Sequence, residues 1–285
     1  MKLEWLEAFV AFAERLSFTA AARDLHISQP ALHVQIARLA DSLGTALYRR
    51  EGRALVLTAQ GRETLRFARE LRERAAELRD VVRTGSSTQP VMLAAGEGAY
   101  LYLLGEAIST FTAKGSAPLR LLTRDGPGTV AALESGEAHL GVVSLPAAPA
   151  GIDAERLVDV PLVLAMPARH PLARQRRIEL AALAGARLIV PPAGRPLRTI
   201  LDGALLSVGV SWEPAVEVGG WPLMLHFVRR GVGLAIVNAC CDLPRGVVAR
   251  PVPALPAARY WLLRRRRGGA ADELAKIIRA NVWRP

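Results

Sequence analysis

The chain of 285 residues is 51% apolar and 22% charged, enough apolar residue for sizeable cores and too much for wholesale disorder. Its 37 Lys+Arg against 26 Asp+Glu give a net charge of +11, which favours an anionic partner such as nucleic acid or an acidic ligand. The two cysteines, adjacent at Cys240 and Cys241, exclude a disulfide-stapled scaffold, and no apolar run reaches the roughly 18 residues of a membrane span.

Residues 1–84 read as one helix after another. Leu3, Leu6, Val10 and Ala13 recur at helical spacing, with the acids Glu4 and Glu7 among them. Those acids do not fit a signal peptide, so a cytoplasmic protein without membrane contact is the expectation. Ser17 offers an N-cap to a short second helix through Ala20-Ala21-Ala22 and Leu25. Ser28 offers the next cap, and Pro30 sits in the first turn, where its missing N–H costs nothing. With Leu32, Ile36 and Leu39 turned inward, Pro30, His33, Val34, Ala37, Arg38 and Asp41 point outward. Gly44 ends this helix, and two short extended runs around Arg49-Arg50-Glu51-Gly52-Arg53 form a hairpin wing. Thr58 then caps a long helix over about 59–84, whose apolar positions include Leu65, Leu71, Leu78 and Val82. Their steps of three and four approximate a coiled-coil seam between two copies of the chain.

A short helix turning into a second exposed helix is the layout that places the latter in a DNA major groove. Gln29 at its start can read adenine bidentately, while Ser28 and Thr58 hydroxyls suit phosphates. His33, Val34 and Arg38 extend the outward face, and Arg49, Arg50 and Arg53 suit backbone or minor-groove contact. The bulk charge does not single out this region. Residues 1–90 hold 14 basic and 11 acidic side chains, so most of the excess lies beyond them.

Residues 85–90, Gly85-Ser86-Ser87-Thr88-Gln89-Pro90, read as a hinge. Extended apolar runs at 91–95, 119–122, 140–143, 162–166, 188–190, 234–237 and 260–263 then alternate with helical stretches. That alternation indicates α/β sheets with mostly parallel strands. Ligands in such sheets lie beyond the carboxyl ends of strands. The rule nominates Gly96, Glu97 and Gly98 after the first strand, Thr123 and Arg124 after the second, and Ser144 at the end of the third. Arg195 and the Gly219-Gly220-Trp221 segment follow from the later strands. Arg124 and Arg195 favour a carboxylate, Trp221 would cover an apolar body, and Glu97 is contrary evidence.

Several segments in register carry a resemblance. Leu6-Glu7-Ala8-Phe9, Ser17-Phe18-Thr19-Ala20-Ala21-Ala22, Ser28-Gln29-Pro30-Ala31-Leu32, Leu47-Tyr48-Arg49-Arg50 and Leu57-Thr58-Ala59-Gln60-Gly61 are similar to the N-terminal signature of LysR-type transcriptional regulators. His170-Pro171-Leu172 and the segment from Val228 to Ala235 resemble landmarks of that family's effector half. The resemblance implies a winged helix-turn-helix domain (1–60), a dimerising linker helix (59–84) and a two-subdomain effector domain like periplasmic binding proteins. Subdomain I would take 91–161 and 259–285, and subdomain II 162–258, with crossings near Pro161 and Ala258. Expected partners are double-stranded promoter DNA, a small-molecule effector, further copies of the chain as a homodimer or dimer of dimers, and RNA polymerase. No cofactor or metal is expected. The sequence departs from the family pattern at His33, Ala40 and Asn238, where Ser, Glu and Pro are usual.

Two other readings compete. Cys240 and Cys241 raise a redox sensor, and the C-terminal half alone would suit a solute-binding protein. An enzyme is not expected, because the five histidines are scattered and no Gly-x-Ser-x-Gly elbow is present.

Overall fold

A computed structural model describes residues 1–52, 54–84, 89–212, 214–265 and 269–283. Arg53, residues 85–88 of the expected hinge and Arg266-Arg267 lie outside the described residues. The chain forms two compact units, residues 1–89 with 134–136, and residues 90–133 with 137–285.

The first unit contains α1 (Leu3–Arg15), α2 (Phe18–Asp24), α3 (Gln29–Leu43), β1 (Tyr48–Glu51), β2 (Ala54–Leu57) and α4 (Ala59–Thr84). Serines set two of the helix starts. The Ala20 N–H donates to Ser17 Oγ at 3.4 Å and the Ala31 N–H to Ser28 Oγ at 3.3 Å. Between α2 and α3, His26 adopts φ 55°, a left-handed conformation that turns the chain sharply. Phe9, Phe12, Leu32, Ile36 and Leu39 are fully buried. Each large apolar side chain so buried contributes about 1.5–3 kcal/mol. The Phe12 ring lies 4.3 Å from Phe18 and 5.0 Å from Tyr48, which ties α1 to α2 and to the wing. β1 and β2 pair antiparallel from Tyr48↔Leu57 to Glu51↔Ala54.

Gly61 has a steric reason. A Cβ there would lie 1.8 Å from the Leu47 carbonyl oxygen, so only glycine lets the first turn of α4 pack on the approach to β1.

The second unit runs β3 (Val91–Ala95), α5 (Glu97–Tyr102), α6 (Gly105–Lys114), β4 (Leu119–Thr123), α7 (Gly126–Ser135), β5 (Leu140–Ser144), β6 (Asp153–Val160), β7 (Leu162–Pro167), β8 (Leu188–Val190), α8 (Pro196–Ser207), β9 (Pro214–Glu217), α9 (Trp221–Arg229), β10 (Leu234–Asn238), β11 (Val247–Pro251), β12 (Ala258–Arg264) and α10 (Gly269–Asn281). The strands build two five-stranded sheets, ordered β4-β3-β5-β12-β6 and β11-β7-β10-β8-β9. The chain leaves the first sheet through Pro161 alone and returns at Ala258.

The sheets correct the expectation of mostly parallel strands. In each, two pairings are parallel and two antiparallel. β6 leads directly into β7 of the other sheet, and β11 directly back into β12 of the first. These two entering strands, β7 and β12, are the ones that run antiparallel to both of their neighbours. Three strands escaped the apolar-run criterion: β6, β9 and β11. All three are edge strands. Exposed edges tolerate the charge and proline found in Asp153–Val160 and Pro214–Glu217.

Among the described residues, no helix is long and apolar enough to cross a membrane, and no His/Cys/Asp/Glu group could hold a metal ion.

Candidate functional site

In the first unit, α3 buries Leu32, Ile36 and Leu39 and turns the opposite face to solvent. Ser28, Gln29, Pro30, His33, Val34, Ala37, Arg38 and Asp41 line that outward side. The Thr19 hydroxyl donates to Gln29 Oε1 at 3.3 Å, so α2 orients the amide that begins this face. Two of the nominated side chains have partners within the domain. The exposed His33 stacks its ring on Phe18 at 3.6 Å between centroids, which holds it against α2. The Thr58 hydroxyl donates to the Ala46 carbonyl at 2.8 Å and accepts from the Gly61 N–H at 2.9 Å, so it closes the wing onto α4. On the wing, Arg49 and Arg50 are exposed, and Arg49 pairs with Glu51 at 2.5 Å.

The expected seam on α4 divides. Leu65 and Leu71 are half-buried and pack on the core formed by α1 to α3, where Ala68 is buried beside them. Leu78 and Val82 are exposed at 64% and 78% and face no part of the core. Phe67, which the leucine spacing passed over, is half exposed. The helix therefore packs its first half on its own domain and leaves Leu78 and Val82 of its second half exposed.

In the second unit, the nominated segments converge at the ends of β3 and β4, which pair in parallel up to Ala95↔Thr123. α5 begins at Glu97 and has six residues, so it supplies little dipole to an anion. Tyr100 on α5 donates to the Leu93 and Leu122 carbonyls at 2.7 and 3.0 Å, and burial pushes its phenol up to about 12. It thus stays protonated and ties α5 down on both strands.

The cleft cations are not free. Arg124 pairs with Glu137 at 2.9 Å, and Arg195 pairs with Asp125 at 2.9 Å. These carboxylates answer the guanidiniums that the sequence reading reserved for a ligand. Trp221 is also committed. It packs on the apolar cores of both sheets, and a Cβ on Gly98 would lie 2.4 Å from its Cε3. Its ring is 6.2 Å from that of Tyr102. Beside this contact, Glu97 Oε2 would lie 3.5 Å from a Cβ on Gly220, whose φ of 85° favours glycine. Gly96 is half-buried, as is Ser144, while Thr123 is exposed at the end of β4. The sequence signal for Asp125 and Glu137 was their opposite charge within reach of the arginines, which spacing alone does not pair.

Asn238 explains its own departure from the family pattern. Its amide Nδ2–H donates to Tyr260 Oη at 3.0 Å and joins β10 of one sheet to β12 of the other, a bond proline could not make. Next to it, Cys240 and Cys241 are both buried with 7% exposure. The Cys241 thiol is held protonated by its hydrogen bond to Cys240 and by burial, and that bond lowers Cys240 in turn. Poor access works against reaction of either thiol with an oxidant.

Comparison with known proteins rests on both units. Residues 3–62 match the profile of the bacterial regulatory helix-turn-helix protein, lysR family, and residues 84–282 match the LysR substrate binding domain. The chain belongs to the LysR family. It is a LysR-type transcriptional regulator with an effector-binding domain. The helix-turn-helix match decides against a solute-binding protein. A RuBisCO operon transcriptional regulator of Allochromatium vinosum is 30% identical over 99% of this chain and 95% of its own length. A probable hydrogen peroxide-inducible genes activator of Mycobacterium avium is 34% identical over 96% and 92%. Among solved structures, a full-length OxyR from Pseudomonas aeruginosa, with one cysteine replaced by aspartate, superposes with a TM-score of 0.69 at 23% identity, covering 99% of this chain and 94% of that one. The full-length LysR-family regulator CbnR, complexed with its target DNA, gives 0.59 at 23%, covering 99% and 100%. At these identities the structural likeness speaks for the fold.

Proposed function

We propose that this LysR-type regulator reads promoter DNA with the start of α3 and steadies itself on the backbone with the wing. The observation that supports this most is the exposed face from Ser28 to Arg38 on a helix whose other face is buried. Gln29 is the base reader, with Pro30 and Val34 beside it for apolar contact to thymine methyl groups. Ser28 and the exposed Arg38, Arg49 and Arg50 take phosphates; Arg53 on the wing completes the set. His33 acts through its stack on Phe18, as a fixed wall of the reading face.

Two such faces are joined through α4 in a homodimer, with Phe67, Leu78 and Val82 contributing apolar contact, and dimers pair on longer operators. Contact with RNA polymerase would follow from activation. An effector enters between the two sheets of the second unit, beside Gly96, Glu97, Gly98, Thr123, Ser144, Gly220 and Trp221. An anionic effector would take over the exposed guanidiniums of Arg124 and Arg195 from their carboxylate partners Glu137 and Asp125. A redox switch through Cys240 and Cys241 forms no part of this reading, given the burial of both thiols.

The test is direct. DNA fragments recovered with the full-length protein are sequenced and used in gel shifts at two salt concentrations. A shared interrupted palindrome bound with steep salt dependence is the expected result. Recovery of unrelated fragments with no common half-site would refute the reading.

A further inference from the structure

One end of the sheet β11-β7-β10-β8-β9 carries charge that neither the α3 face nor the effector cleft uses. There the carboxyl end of β7 lies beside the amino ends of its neighbours. Pro167 is opposite Val247 of β11, Ala165 is opposite Ala235 of β10, and Leu188 of β8 is opposite Leu234. The turns on these four strands each bring exposed arginine: Arg245 before β11, Arg169 after β7, Arg229 and Arg230 before β10, and Arg187 before β8. Backbone bonds hold the turns in pairs. The Ala168 N–H donates to the Gly246 carbonyl at 2.9 Å, and the Leu234 N–H to the Arg187 carbonyl at 2.8 Å. Neighbouring strands lie about 4.8 Å apart, so the four set their arginines in a row about 14 Å wide. Arg195 and Trp221 of the cleft follow the carboxyl ends of β8 and β9, at the opposite end of this sheet.

Residues 91–285 hold 23 basic and 15 acidic side chains and so carry most of the excess charge of the chain. Elsewhere in this unit, Arg124, Arg195, Arg198 and Arg264 each hold a carboxylate. Among the described residues, none of the five arginines in the row does. Like charges set side by side repel, so the row burdens the folded chain unless an anion answers it. We propose that this row is a second DNA-backbone contact of the regulator, independent of sequence and additional to α3 and the wing. Guanidinium matches phosphate bidentately. The exposed residues among the arginines are Ala168, Gly231 and Gly246, so a protein partner would find no large apolar anchor there. A phosphate backbone needs only charge and close approach.

The test removes three charges of the row together, Arg169→Gln, Arg230→Gln and Arg245→Gln, in the full-length protein. A control removes three exposed cations from α6, β4 and α10 instead, Lys114→Gln, Arg120→Gln and Lys276→Gln. Affinity for duplex DNA without an operator is read by fluorescence anisotropy over a series of salt concentrations. The row variant should melt like the parent, because all three side chains are exposed. Its slope of log affinity against log salt should fall by about two to three, and that of the control by less than about one. Arg169→Gln alone, in a turn outside every helix and strand, should lower the slope by about one. Operator and non-operator DNA should weaken by the same factor in the row variant. Gln29→Ala lowers only the preference for operator, so the row and the α3 reading fail separately. A row variant with the slope of the parent overturns the proposal; if it also loses promoter activation, the row belongs to an acidic protein partner instead. Equal loss from the control overturns it too, because net charge rather than the row would then be acting.

Discussion

Gln29 and Arg50 sit on one domain and should fail differently. Gln29, oriented by Thr19, offers an amide to a base edge. Gln29→Ala should cost about 1–3 kcal/mol on the operator and relax the preference at one position of each half-site. Arg50, exposed on the wing, offers charge without sequence information. Arg50→Ala should weaken all DNA alike and reduce the salt slope by about one. Gel shifts on operator and scrambled DNA at two salt concentrations separate the two; equal loss of specificity would refute the division. Gly61 makes a prediction about stability. Gly61→Ala places a methyl against the Leu47 carbonyl at an impossible 1.8 Å. The start of α4 must then shift, at about 1–3 kcal/mol or more. Thermal melting of the variant should show the loss, and an unchanged melting temperature would contradict the packing.

At the scale of the element, α4 shows how one apolar pattern serves two surfaces. Leu65 and Leu71 pack on the domain to which the helix belongs, while Leu78 and Val82 stand in solvent. Leu78→Asp should therefore weaken self-association, because a charge buried between copies loses its water. It should leave the folding of the monomer nearly untouched. Leu71→Asp should damage both, since that side chain is already half-buried within its own chain. Sedimentation and thermal melting together distinguish these outcomes. A Leu78→Asp protein that associates like the parent would place the contact elsewhere. The strands teach a related lesson. Central strands such as Leu234–Asn238, buried throughout, are legible as apolar runs. The charged β6 is not, because its strand character comes from pairing with β12 rather than from its composition.

Across the whole molecule, the C-terminal segment is tied to the middle of the chain by charge. Arg264, with 8% of its surface exposed, lies at the end of β12 and donates to Glu155 of β6 at 2.7 Å. Arg279 of α10 donates to the same carboxylate oxygen at 2.9 Å. Glu155→Gln would leave a buried guanidinium without its nearest charge. Because Glu155 is itself 37% exposed, the expected loss is about 1–2 kcal/mol, a few degrees in melting temperature. An unaltered melting curve would show that Asp153 or Asp272, at 4.0 and 3.8 Å, takes over the charge.

What the sequence determined by itself is local and periodic. Ser17 and Ser28 as caps, the buried stripe of α3, the paired wing and the central strands of both sheets follow from spacing and from residue type. The family followed from motifs in register over the first 60 residues or so. Tertiary structure decided everything that depends on which side chains meet. It set His33 against Phe18, gave Arg124 and Arg195 their carboxylates and laid Trp221 on Gly98. It also divided the leucines of α4 between two surfaces. Arginines at strand ends look the same in sequence whether they wait for a ligand or already hold a partner. Only the approach of distant segments, set by how two sheets pack, distinguishes the two.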